Sequence, residues 1–229
     1  DLIGLNPSAR CSLGVEISTN YAGAQLYNLC GQPLWESSVP IEIGSSQEVV
    51  FALVEALIYE GVERAHTLAI PLLGIGVGVP GVVNHHVNAP ALGWKEAPLK
   101  EILQKRFNKP VIVDNKARAA AMAEAFYGGA RAVNSFIYVS IGTDERSSVE
   151  AEVVTDGVLY RGASGRAVNA GHTVLDPNGP LCSCGQKGCW QAMVDVDREV
   201  GMARQRLEAG EPSILQAYAA NGYATVDHR

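Results

Sequence analysis

The sequence predicts an α/β fold. Two patterns carry that prediction: a run of short β-rich segments opens the chain, and apolar helical faces then alternate with buried strands through its middle. Ser12 to Ser18 and Ala22 to Leu29 are β-rich, Cys30-Gly31-Gln32-Pro33 is a turn and Leu34 to Ile41 is a third strand, which together read as an antiparallel meander. Ser45 with Glu48 three residues on is a capping-box signature. Val50, Leu53, Val54, Leu57 and Ile58 then form one apolar helical face, which Gly61 is expected to end. Leu72 to Val79 is apolar with glycine at every second position, so it reads as a buried strand with one face close against another backbone, running into a turn at Pro80-Gly81. Its spacing superficially matches a dinucleotide fingerprint, but no helix follows at once and no acidic residue stands about 20 positions later, which excludes that reading.

Leu99, Ile102, Leu103 and Phe107 fall at helical spacing, and Pro110 starts the short strand Val111-Ile112-Val113. Asn115 ends that strand and caps an Ala-rich helix, Lys116 to Tyr127, which stops at Gly128-Gly129. Such strand-to-helix junctions are where α/β proteins place ligand groups. Phe136 to Ile141, Val149 to Thr155 and Val158 to Tyr160 are further strands, the last two joined by an Asp156-Gly157 hairpin turn. Trp190 to Leu207 is expected to be one long amphipathic helix ended by Gly210, with Pro212 opening another.

With 47% hydrophobic residues among 229, the chain can bury one large core or two smaller lobes. The net charge of -6 comes with no basic tract, so the chain alone lacks the electrostatic footprint of a nucleic-acid binder. Its longest apolar run, Leu68 to Val83, is interrupted by Pro71, Gly74, Gly76, Gly78, Pro80 and Gly81, which is wrong for a membrane span, and no signal peptide opens the chain. Two of the five cysteines, Cys11 and Cys30, lie in strand-like contexts and three lie in one cluster, which argues for a reducing compartment and hence the cytoplasm.

That cluster is the most specific feature. His172 lies ten residues before Cys182, and Cys182, Cys184 and Cys189 follow in CSCGQKGC, with Gly185 and Gly188 letting the backbone fold back between the thiols. Three thiolates and one imidazole form the ligand set of a closed tetrahedral zinc site, against which stands the plainer alternative of buried or disulfide-bonded cysteines. Four protein ligands leave no open position, so a zinc ion here is expected to be structural.

The order GVPG (Gly78 to Gly81), APALGW (Ala89 to Trp94), VIVDNKARAAAMAE (Val111 to Glu124), DGVLYRGASG, then GH and CSCGQKGCW resembles the ROK family of sugar kinases and sugar-responsive transcriptional repressors, nearly end to end. The resemblance implies an actin-like (ribonuclease H-like) ATPase fold, two α/β lobes around a cleft. The lobes are expected at residues 1–115 and 116–229, the second truncated and carrying the zinc-binding loop 172–189. Departures from the family pattern bear on function. Where kinases of the family carry the Asp that deprotonates the sugar hydroxyl, this chain has Lys116 after Asn115, and a protonated lysine has no lone pair to accept a proton. The first phosphate loop is replaced by Glu16-Ile17-Ser18-Thr19-Asn20, without its glycines, and the second by Gly142-Thr143-Asp144-Glu145-Arg146, whose carboxylates repel polyphosphate. Two family glutamates that accept hydrogen bonds from sugar hydroxyls are Asn169 and Gln191 here, while His172, which in the family offers one ring nitrogen to zinc and one to sugar, remains.

These departures lead to the expectation of no catalytic residue and no kinase activity. The resemblance then implies the effector-binding, dimer-forming region of a ROK-type repressor. Its ligand groups would be Asn115, Lys116, Asn169, His172 and Gln191, its metal ligands His172, Cys182, Cys184 and Cys189, and its effector a sugar or sugar derivative. DNA would be reached only through a helix-turn-helix segment outside this chain, with no membrane partner. The runner-up is an ATP-dependent sugar kinase with an atypical base, and the third reading is a ligand-free dimerisation scaffold.

Overall fold

The computed structural model describes residues 4–142, 148–163, 165, 167–168 and 170–217. In chain order they form β1 Cys11–Ile17, β2 Tyr21–Asn28, β3 Pro33–Pro40, α1 Gln47–Thr67, β4 Leu72–Val79, β5 Val82–Val83, β6 Val87–Ala89, β7 Trp94–Ala97, α2 Leu99–Phe107, β8 Val111–Asn115, α3 Lys116–Phe126, β9 Phe136–Gly142, β10 Ser148–Thr155, β11 Val158–Leu159, α4 Trp190–Met193 and α5 Val196–Glu208. Short 3-10 turns occur at Pro90–Leu92, Ala170–His172 and Ile214–Ala217. The chain divides into two compact units, Asp1–Tyr138 with Glu152–Ala167, and Val139–Ala151 with Val168–Arg229.

In the first unit a five-stranded sheet has the order β3-β2-β1-β4-β8. The expected meander β1-β2-β3 is antiparallel, and β1, β4 and β8 run parallel, so their carboxyl ends share one edge. Across that edge the register places Glu16 opposite Gly78, and Gly78 opposite Asp114. Alternation sends Leu13, Val15 and Ile17 of β1 and Ile75, Val77 and Val79 of β4 into one core with Val54, Leu57 and Ile58 of α1 and Leu99 and Leu103 of α2. Phe51 and Trp94 meet edge to face there at 5.1 Å. A smaller cluster, Ala121, Val154 and Leu159 with Phe136 and Tyr138 against it, lies beneath α3. Strands β5, β6 and β7 form a small antiparallel sheet, and β9, β10 and β11 a third in the order β11-β10-β9. On β9 the alternation leaves Ile137, Val139 and Ile141 exposed.

Three sequence expectations change in detail. The cap of α1 is Ser46, one residue later than expected, its hydroxyl accepting from the Val49 N–H, while the Ser45 hydroxyl donates to the Glu42 carbonyl in the turn before the helix. Gly61 does not end α1, which runs on to Thr67. It is buried because a Cβ there would stand 2.6 Å from Leu13 Cδ1, so the missing side chain is what lets α1 lie against β1. The single helix expected over Trp190 to Leu207 is two, α4 and α5, because the Asp195 carboxylate accepts from the Arg198 N–H and starts a new helix. The cap at Asn115 and the Asp156-Gly157 turn, both residues at positive φ, are as expected.

Candidate metal centre and ligand junction

The metal cluster is assembled within the second unit by a loop that folds on itself. Isolated bridges pair Val174 with Cys189 and Leu181 with Lys187, Cys182 N–H donates to the Gln186 carbonyl at 2.8 Å, and Gly188 N–H donates to the Pro180 carbonyl at 2.8 Å. Gly188 has a positive φ and sits where a Cβ would fall 1.5 Å from the Asp176 carbonyl oxygen, so no side chain fits. His172 closes the 3-10 turn Ala170–His172. One ligand atom from each of His172, Cys182, Cys184 and Cys189 lies within 4.8 Å of all the others.

The donor set fits a tetrahedral ion. Cys184 Sγ and Cys189 Sγ are 3.6 Å apart, and Cys182 Sγ and His172 Nδ1 are 3.5 Å apart. Zinc at about 2.3 Å from sulfur and about 2.0 Å from nitrogen would put tetrahedral edges at about 3.8 Å and about 3.5 Å. A disulfide needs sulfurs about 2.05 Å apart, and all five cysteines are free thiols. Without a cation the thiols oppose one another. Burial pushes Cys182 up, but hydrogen bonds from the Cys184 backbone and thiol, from His172 and from Cys189 outweigh it and lower it to about 7. Cys189 is pushed up to about 12 by burial, by the neighbouring thiols it serves as a donor and by their charge. This arrangement can hold a metal ion, and its four ligands leave no position for substrate. Gln191 stands one residue into α4, half-buried, its Oε1 3.2 Å from where a Gly171 Cβ would be; that Cβ would also fall 2.3 Å from the Val149 carbonyl oxygen, which is why only glycine fits before His172.

The second set of predicted residues lies in the first unit, at the carboxyl end of β8. Asn115 is buried and its amide is committed: Oδ1 accepts from the N–H groups of Ala117 at 2.8 Å and Arg118 at 3.2 Å, and Nδ2 donates to the Gly81 carbonyl at 2.9 Å. Lys116 is the first residue of α3, its Cα 3.5 Å from where a Cβ on Gly78 would stand. In the turn after β1, Ser18 is buried and its N–H closes the hairpin onto the Tyr21 carbonyl. Asn169 and residues 143–147 lie outside the described residues.

Sequence reasoning missed the ion network beside Lys116. Asp114 accepts from Arg118 Nη1 at 3.3 Å and from Arg161 Nη2 at 2.5 Å, and Arg118 Nε stands 3.7 Å from the Glu152 carboxylate. Arg118 and Glu152 are both buried, and Arg118 also donates to the Gly165 carbonyl. The hydrogen bond to Asp114 raises the Arg161 pKa, burial lowers it, and the charges of Asp114 and Glu152 raise it further. A signal existed in the i, i+4 spacing of Asp114 and Arg118. Arg161, 47 positions from Asp114, left none.

Residues 12–211 match the ROK family. A xylose repressor of Caldicellulosiruptor bescii is 34% identical over 192 residues, 82% of this chain and 47% of the repressor. A glucokinase of Streptomyces coelicolor is 30% identical over 220 residues, 94% of this chain and 66% of the kinase. A solved ROK family transcriptional regulator, described as a homologue of the E. coli MLC protein, superposes with a TM-score of 0.80 at 27% identity, over 95% of this chain and 55% of the regulator. The chain thus spans about half the length of the repressors it matches. With the α/β fold, the His-and-cysteine loop and the capped β8–α3 junction all falling inside the matched span, this chain belongs to the ROK family.

Proposed function

We propose that the chain is the effector-binding and dimer-forming region of a ROK-type transcriptional repressor, cytoplasmic, responsive to a sugar or sugar derivative and without kinase activity. The observation that carries this reading is Lys116 at the first position of α3, behind a committed Asn115, where a kinase of the family places its proton acceptor. An ammonium there donates and cannot accept, and no phosphoryl transfer proceeds without a positioned nucleophile. The likeness to repressors supports the same reading. The ligand groups of this reading are Asn115, Lys116, Asn169, His172 and Gln191. Asn115 serves by holding the junction's backbone, since its amide is spent on the cap. A structural zinc on His172, Cys182, Cys184 and Cys189 fixes the tautomer and orientation of His172. Effector binding then acts through differential affinity for two states, read out by DNA contacts that a separate helix-turn-helix segment makes.

The glucokinase likeness favours a second reading, an ATP-dependent sugar kinase with another base. A coupled assay with ATP and a panel of hexoses separates the two. No turnover is expected, and turnover that Glu16→Ala abolishes overturns the repressor reading. Calorimetric titration with hexoses and amino sugars distinguishes a sensor, which gives heat, from a ligand-free scaffold, which gives none.

A further inference from the structure

We infer that Cys184 and Cys189 form a peroxide-oxidisable pair, and that the disulfide between them dismantles the metal centre. This rests on the structural-zinc reading of the loop and lies wholly within the second unit. The four ligands are unequally placed. Cys182 and Cys189 are buried, whereas Cys184 is exposed, in a run from Ser183 to Lys187 that is exposed throughout. A small oxidant in solvent therefore meets Cys184 first. Geometry then selects its partner. Cys184 Sγ stands 3.6 Å from Cys189 Sγ, so closing to a disulfide of about 2.05 Å asks the sulfurs to approach by about 1.5 Å. The residues between them are Gly185-Gln186-Lys187-Gly188, with both glycines at positive φ, and a Cβ on Gly185 would meet nothing within 4 Å, so the Cys184 side of the loop has room to shift. Cys182 is the poorer partner. Its N–H donates to the Gln186 carbonyl, its Sγ meets His172 Nδ1 at 3.5 Å, and a bond to Cys184 would close a ring over one residue, tighter than the four that separate Cys184 from Cys189.

The chemistry balances with hydrogen peroxide as the oxidant. Held as metal ligands, both cysteines are thiolates. The Cys184 sulfur attacks one peroxide oxygen: an S–O bond forms, the O–O bond breaks, and the departing hydroxide takes a proton from solvent to become water. The Cys189 sulfur then attacks the resulting sulfenic sulfur. The S–S bond forms, the S–O bond breaks, and a second hydroxide leaves and is protonated to water, so two thiolates are oxidised while one peroxide is reduced. His172 and Cys182 remain, and two ligands do not make a closed tetrahedral site. A disulfide absent at rest and made only under oxidant is the kind that a reducing compartment permits.

The test uses the zinc-loaded 229-residue chain carrying Cys30→Ser, which removes the exposed cysteine outside the loop. Hydrogen peroxide is expected to release zinc to a chromogenic chelator as the chain loses the mass of two hydrogens. Peptide mapping is expected to join Cys184 to Cys189, and a thiol reductant with added zinc to restore the starting form. Cys184→His keeps a zinc ligand but no sulfur at the exposed position, and is expected to hold its metal under peroxide at least about tenfold longer. Should that variant take up no zinc, the mapped disulfide decides alone. Zinc that stays bound under peroxide, release without a disulfide, a disulfide that includes Cys182, or loaded Cys184→His losing metal as fast as its parent overturns this inference and leaves the structural zinc standing. A parent chain that takes up no zinc overturns both.

Discussion

Val168 has φ of +59°, in the left-handed region that a β-branched side chain enters only under constraint. Strain of this kind costs about 1–3 kcal/mol, and glycine there would lose about 0.5–1 kcal/mol of it again to backbone entropy. Val168→Gly is therefore expected to raise the thermal midpoint, read by differential scanning calorimetry; a lowered midpoint would mean that the valine side chain contributes more than the strain costs. At Cys189 the thiol is pushed up to about 12, so without metal it is protonated at neutral pH, while Cys182, at about 7, is divided between thiol and thiolate. Metal needs both as thiolates, so zinc binding at pH 7 must release the Cys189 proton and weaken as pH falls. The measured enthalpy of zinc binding is expected to vary with the ionisation enthalpy of the buffer, and a buffer-independent value contradicts these protonation states. The His-and-cysteine cluster was legible because three thiols and an imidazole crowd into 18 residues, from His172 to Cys189. Glu152 and Arg161 were not, since only folding brings them to Arg118 and to Asp114 at the end of β8.

Elements show the same contrast between pattern and contact. Glycine breaks isolated helices, which is why Gly61 read as a stop; inside α1 the fit against Leu13 overrides propensity, and twenty-one residues stay helical. Gly61→Ala is expected to destabilise by about 1–3 kcal/mol through overpacking, although alanine favours helix. At Gly201 in α5 an added Cβ would meet nothing within 4 Å, so Gly201→Ala is expected to stabilise by about 0.5–1 kcal/mol. Urea denaturation of the pair reads both, and equal shifts in one direction would show that packing at Leu13 is not the deciding difference. The amphipathic pattern after Trp190 hid a break because the apolar period runs through it. The aspartate that starts α5 is a stronger local determinant than the stripe.

For the whole molecule, the two units are unequally supported. The first buries an extensive apolar core, whereas among the described residues the second shows the small cluster Cys182, Cys189 and Ala192, with Val149, Ala151 and Leu207 also buried. Metal in that loop is thus expected to supply folding free energy outright. Elemental analysis should return about one zinc per chain, and Cys184→Ser should release it and expose the loop to protease while β1 to β8 stay protected from hydrogen exchange. Protection lost equally throughout would make the chain a single cooperative unit instead. The meander and the helix cap at Asn115 could be read from alternation and capping residues, because those signals are local. The edge where Glu16, Gly78 and Asp114 line up could not, since register between distant strands has no local signature. Strand β9 has a practical corollary: among the described residues it is the outer strand of its sheet, and Ile137, Val139 and Ile141, at alternate positions on one face, stay wetted, an invitation to intermolecular strand pairing. At high concentration the chain should thicken into thioflavin-positive assemblies, and one lysine at Val139 should keep the solution clear.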